Sequence, residues 1–312
     1  MEYGSTSSLR VNTVLGPVKP EDLGVTLTHE HIFIDLRFDG TGVDGVLDDV
    51  SLAIDELRLF QQAGGGAVVD VTNKYLGRNA AGQIRVARKT GLHIIASTGY
   101  YRMVYYPAHV NELTINKLAD VMVDELTKSI DGTEARAGII GELATERDFI
   151  TPSQERVFRA AARAHKKTGA PLSTHTWLET LAQDQLDLFA DEGVDLQHVI
   201  VGHMGDLSHL DNVHAVLARG AYVQFDHVGM QHFQRDAQRI KNVVQLVQEG
   251  HTARLLLSHD VCYKHLLHWY DGPGYDHLLT TFAPALRAAG VSEADVYTIL
   301  VENPRRVLAY DV

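Results

Sequence analysis

Residues 198–225 read His-Val-Ile-Val-Gly-His-Met-Gly-Asp-Leu-Ser-His-Leu-Asp-Asn-Val-His-Ala-Val-Leu-Ala-Arg-Gly-Ala-Tyr-Val-Gln-Phe. A short β-branched run, His198–Gly202, leads through a polar turn into an amphipathic stretch, Leu207–Arg219. Gly220 follows that stretch as a helix stop, and a second apolar run, Ala221–Phe225, begins at once. Strand, helix, strand in such short order implies two parallel strands joined by a right-handed crossover.

The same rhythm extends both ways along the chain. Apolar runs occupy Val25–Ile34, Ala67–Val71, His93–Thr98, Gly138–Leu143 and Pro171–Thr174 upstream, and Arg254–Ser258 downstream. Helical patterns lie between them: Asp48–Ala63, Asn111–Ile130, Pro152–Thr168, Leu178–Glu192, Gln234–Glu249 and Tyr275–Ala289. Thr151-Pro152 opens one of these with a capping residue and a first-turn proline, and Gly169 closes it. Eight strand–helix units favour a closed (β/α)8 TIM barrel of α/β class over an open sheet. Gly64-Gly65-Gly66 precedes a strand, so it reads as a helix stop and tight turn, not as a dinucleotide loop. The first ~20 residues and Pro304–Val312 read as trimmings of one domain spanning 1–312.

Composition narrows the function. An apolar fraction of 45% and a charged fraction of 22% are ordinary for a globular protein. A net charge of -12 without a basic run argues against nucleic-acid and membrane-surface partners. A lone cysteine, Cys262, excludes an intrachain disulfide, and no stretch reaches the ~20 apolar residues of a membrane span. The N-terminal Met1–Ser8 shows no basic and apolar leader pattern, so a cytoplasmic location is expected. The expected partner is a small-molecule substrate; a homodimer stays open.

Histidines and carboxylates gather at the ends of the runs. His29 and His31, two apart in the first run, would face the barrel interior together. Glu142, His175, His203 and Asp260 end the fourth, fifth, sixth and eighth runs. Singly, each has a plainer reading: a core histidine, a loop histidine, a helix cap. In a parallel barrel, however, all strand ends meet at one face, where barrel enzymes place their active sites. So many polar groups buried at one mouth are costly unless cations sit among them.

These motifs resemble those of the phosphotriesterase family of the amidohydrolase superfamily. The resemblance runs from Val14-Leu15-Gly16 and Gly24–His31 to Glu302-Asn303-Pro304. It implies a binuclear site in which His29, His31 and Asp260 hold the more buried metal, and His175 and His203 the more exposed one. Many members bridge the two with a carboxylated lysine. Here Gly-Ile-Ile-Gly-Glu142 resembles the phosphotriesterase-related branch, where glutamate bridges. Zinc is the first expectation for the two divalent ions, and manganese, cobalt and iron suit the same donors.

By the same resemblance, His227 and Asp206 match a proton relay from Asp260 to solvent, and Tyr101 a tyrosine over the substrate. Their plainer readings are a pocket wall, a helix N-cap and a packed loop aromatic. The implied chemistry is hydrolysis by a metal-bridging hydroxide, with Asp260 as proton acceptor. A lactone or carboxylic ester leads among substrates, followed by an N-acyl amino acid type amide or a phosphotriester. Selectivity is expected in Val228–Gln234 and Val261–Tyr275, whose Phe233, Tyr263, His265, His268, Trp269 and Tyr270 suggest a partly apolar pocket. A non-catalytic metal-binding barrel and a one-metal lyase or isomerase are the competing readings.

Overall fold

The computed structural model describes residues 9–312, so Met1–Ser8 and the leader reading made there lie outside the described residues. Eight parallel strands stand side by side in chain order: β1 (Val25–Glu30), β2 (Gly65–Asp70), β3 (His93–Thr98), β4 (Ala137–Ala144), β5 (Leu172–His175), β6 (Val199–Val201), β7 (Tyr222–Phe225) and β8 (Leu255–Leu257). No ladder joins β8 to β1. That seam closes through the His29 amide, which donates to Ser258 Oγ at 3.0 Å, and the Asp260 amide, which donates to the His29 carbonyl at 3.1 Å. The expected (β/α)8 barrel is present.

Helices α1 (Val50–Gln62), α2 (Ala80–Thr90), α3 (Ile115–Thr127), α4 (Pro152–Thr168), α5 (Ala182–Asp191), α6 (Asp211–Ala218), α7 (Asp236–Gln248) and α8 (Ala283–Ala288) wrap the outside. α4 opens on the capping Thr151 expected there, which Gln154 completes into a capping box, and Gly169 ends it with φ 78°. Strand alternation sorts the core into two layers. Val69, Ile95, Ile139, Ile200, Tyr222 and Leu256 fill the barrel, while Val68, Ile94, Ile140, Val201, Val223 and Leu257 face the helices.

Three expectations need correction. The terminal segments are more than trimmings: Val11 and Leu23, with Val307 and Leu308 of the helix Asn303–Leu308, pack into the same interior layer as the strands and plug it. The first apolar run is not one strand to Ile34, because β1 stops at Glu30 and Ile34–Asp35 pairs with Val46–Leu47 instead. The fifth helix begins at Ala182 and not Leu178, because Leu178, Glu179 and Leu181 have φ of 47°, 64° and 59°, which no helix admits. Among the described residues no helix is long and apolar enough to cross a membrane.

Candidate metal centre

The strand ends converge at one mouth. His29 lies in β1 and His31 one residue beyond it, Glu142 in β4, and His175 at the end of β5. His203 and Asp260 follow β6 and β8 in left-handed backbone, φ 58° and 55°. Non-glycine residues held there carry strain that the surrounding structure must impose, a common feature of functional sites. Gly202, just before His203, has no room for a side chain: a Cβ would lie 2.5 Å from the Thr174 carbonyl oxygen.

Glu142 is the centre of the cluster and is buried. Its Oε1 lies 3.4 Å from His31 Nε2, and its Oε2 lies 3.1 Å from His175 Nδ1 and 3.6 Å from His29 Nε2. Asp260 Oδ1 is 3.1 Å from His31 Nε2 and 3.7 Å from His29 Nε2. On the other side His175 Nδ1 and His203 Nε2 converge to 2.6 Å. Two ligand-type nests, His29–His31–Glu142 and Glu142–His175–His203, therefore share one carboxylate.

The donor set fits divalent cations. His29 Nε2 is buried without a hydrogen-bond partner, an expensive arrangement unless an ion takes it up. Electrostatics points the same way. Burial opposes protonation of His31, yet the hydrogen bonds and charges of Asp260 and Glu142 prevail and push it up to about 10. Burial also opposes ionisation of Glu142, but His29, His175, His203 and His31 around it hold the carboxyl well below its usual range. The pocket keeps its carboxylates charged and collects positive charge against them.

Behind the mouth sit residues that orient these groups. Asp226, one residue past β7, is fully buried; its Oδ1 is 2.8 Å from His203 Nδ1 and its Oδ2 3.2 Å from His29 Nδ1. It leaves both Nε2 atoms facing the cluster. Thr72 does the same for His31, with Oγ1 2.7 Å from Nδ1. Glu30 points away from its histidine neighbours. Its Oε1 accepts from Ser258 Oγ (2.7 Å), the His259 amide (2.8 Å) and His259 Nδ1 (3.0 Å), and its Oε2 from the Val261 amide (2.9 Å). Four bonds from one carboxylate fix the turn that carries Asp260. Sequence reasoning passed over all three. The signal for Glu30 and Asp226 was adjacency, since each stands beside a histidine already singled out.

His227 and Asp206 do come together with Asp260. His227 Nε2 is 3.1 Å from Asp260 Oδ2, and its Nδ1 is 2.9 Å from both oxygens of Asp206. Burial lowers His227, but the charge and hydrogen bond of Asp206 and the hydrogen bond of Asp260 raise it to about 9. Asp206 caps no helix, because α6 begins only at Asp211. Tyr101 is buried, with its ring edge-on to His175 at 5.2 Å.

A cavity of about 470 Å³ opens onto this mouth and is lined by His31, Tyr101, Glu142, His175, His203 and Asp260 among others. Its wall departs from expectation. Phe233 and Tyr263 line it, but His265, His268, Trp269 and Tyr270 do not; His265 is tied to Asp44 and Trp269 is 74% exposed. The loops after β1, β3 and β5 supply Ile34, Leu36, Arg102 and Trp177 instead.

Comparison with known proteins agrees with this geometry. The sequence profile of the phosphotriesterase family matches residues 9–308. A crystal structure of the phosphotriesterase homology protein from Escherichia coli, complexed with phosphate in its active site, superposes with a TM-score of 0.90 at 43% identity, covering 92% of this chain and 99% of that one. An N-acetyltaurine hydrolase of Danio rerio is 31% identical, over 96% of this chain and 98% of its own. A lactonase from Listeria monocytogenes superposes with a TM-score of 0.91 at 27% identity, over 96% and 98% of the two chains. With a family match that spans all eight strands and an N-acetyltaurine hydrolase and a lactonase among its relatives, this chain is a hydrolase of the phosphotriesterase family.

Proposed function

We propose that the chain, acting as one unit over 1–312, is a binuclear-metal hydrolase of lactones or carboxylic esters. The observation that carries the reading is Glu142, whose one carboxylate is common to two histidine nests, with Oε1 3.4 Å from His31 Nε2 and Oε2 3.1 Å from His175 Nδ1. His29, His31, Glu142 and Asp260 would hold one ion, and Glu142, His175 and His203 the other, with zinc the first choice. When bound, the two ions lower the pKa of a water toward ~7 and polarise the substrate oxygen.

The remaining work belongs to side chains. Asp260 accepts the proton of the attacking water at its carboxylate. Asp206 holds His227 through Nδ1 and aims Nε2 at Asp260 Oδ2, so the charged imidazole gives its Nε2 proton to the leaving group or solvent and is recharged with the proton that Asp260 has taken. Burial opposes ionisation of Asp206, but the charge and hydrogen bond of His227 hold its carboxyl below the usual range, and Arg239 Nη2 lies 3.4 Å from its Oδ1. Ile34, Leu36, Trp177, Met230 and Phe233 give the cavity an apolar wall for an acyl group, and Tyr101 stands at its edge over His175.

An amide is the second reading, favoured by the N-acetyltaurine hydrolase relative. The test is metal-reconstituted protein assayed on lactones, aryl esters, N-acyl amino acids and a phosphotriester, with metal content measured by mass spectrometry. About two ions per chain and the highest kcat/KM on a lactone or ester are expected. A preference for N-acyl amino acids would promote the second reading. Folded, metal-loaded protein inactive on every carbonyl substrate would sink both.

A further inference from the structure

Outside the mouth, one other group of metal-ligating side chains stands together among the described residues: His214 on α6, Glu249 at the end of α7 and His251 just beyond it, with one donor atom from each within 4.8 Å of the others. The backbone holds them in place. The His214 amide donates to the Leu210 carbonyl at 2.8 Å, locking the first turn of α6. Gly250, at φ 86°, turns the chain at the end of α7, and the His251 amide donates to the Leu246 carbonyl at 2.9 Å. Only a residue without a side chain takes that turn cheaply, so the spacing of Glu249 and His251 is built into the helix end.

The side chains are aimed as well. Gln245 Nε2 donates to Glu249 Oε1 at 2.8 Å, which leaves Oε2 facing His214 Nε2 at 2.7 Å. The rings of His214 and His251 lie 5.8 Å apart, inclined at 50°. A simple ion pair accounts for His214 and Glu249 but leaves His251 unexplained, and at side-chain exposures of 40% and 35% such a pair adds little stability.

We infer that His214, Glu249 and His251 form a peripheral site for a divalent transition-metal ion. Two imidazoles and one carboxylate are a zinc donor set, and open exposure leaves a fourth position for water. The site lies on the outer surface where α7 gives way to β8, at the end of the barrel where the strands begin. It is therefore independent of the mouth, and an ion there would tie α6 to the end of α7.

Zinc itself is the probe. Wild type, His214→Ala, His251→Ala and Glu249→Gln, each saturated at the mouth, are dialysed against the same zinc concentration, and zinc per chain is counted by mass spectrometry. Wild type is expected to carry about one ion more than either histidine variant, and added zinc should raise its Tm but not theirs. Circular dichroism checks that the variants fold, and His251→Gln gives a milder substitution at the position an ion pair does not need. Equal zinc content in wild type and His251→Ala would overturn the site.

Discussion

At the residue scale, the mouth is governed by which side chains are charged and which way they point. Glu142→Gln keeps size but removes the charge shared by both histidine nests. Its activity should fall by more than the ~10–100-fold that loss of an orienting partner costs, with the barrel intact by circular dichroism; near-native turnover would show that Glu142 does not bridge. Glu30→Gln is the contrasting case. It touches no candidate ligand side chain, yet an amide cannot accept all four of the bonds that Glu30 now accepts. We expect metal affinity and kcat/KM to drop within that same ~10–100-fold range, measured by metal competition and steady-state kinetics; no change in either would leave the Asp260 turn independent of Glu30. His227→Ala should cost ~10²-fold or less on substrates with poor leaving groups and little on a nitrophenyl ester, which departs without a proton. A uniform loss across esters of graded leaving-group pKa would return His227 to the pocket wall.

At the element scale, strands hold the site and loops shape it. The segment 177–181 shows what a loop must do to bring its side chains inward: Leu178, Glu179 and Leu181 all adopt left-handed backbone. Glu179 is thereby buried. Its Oε1 accepts from the Leu207 amide at 3.2 Å, while Oε2 finds no partner. Burial, with a contribution from the charge of Asp206, pushes this carboxyl up to about 8. The folded chain thus keeps a proton that the unfolded chain releases near 4.5, so between those values stability falls as pH rises. Glu179→Gln removes the effect. Its Tm advantage over wild type should grow from about pH 5 to about pH 8 and then level off; a difference independent of pH in thermal melts would mean the carboxyl is ionised throughout.

At the scale of the whole molecule, the two ends of the barrel do different work. The mouth carries buried charge, strained backbone and a cavity, while the opposite end is closed by apolar side chains from both chain termini. Leu308, fully buried in that plug, should cost ~2–5 kcal/mol when changed to alanine, as large-to-small core substitutions do. Metal content and kcat of the folded fraction should stay unchanged. Chemical denaturation checks the first statement and kinetics the second; a fall in kcat without a fall in stability would mean that the floor communicates with the mouth.

The repeat of apolar run and amphipathic stretch determined the barrel by itself, because a strand buried on both faces is apolar along nearly its whole length and its crossover is a helix with one apolar face. It also determined that His29, Glu142, His175, His203 and Asp260 reach one end, since parallel strands all finish there. What tertiary structure alone decided is whatever depends on pairs distant in the chain: Asp226 gripping His29 and His203, Glu30 bracing the turn of Asp260 across the seam, and His227 set between Asp260 and Asp206. The cavity wall was illegible for the same reason. Loops carry no periodicity, so whether Trp269 faced solvent and Trp177 faced the cavity was settled by backbone geometry and packing that no local pattern encodes.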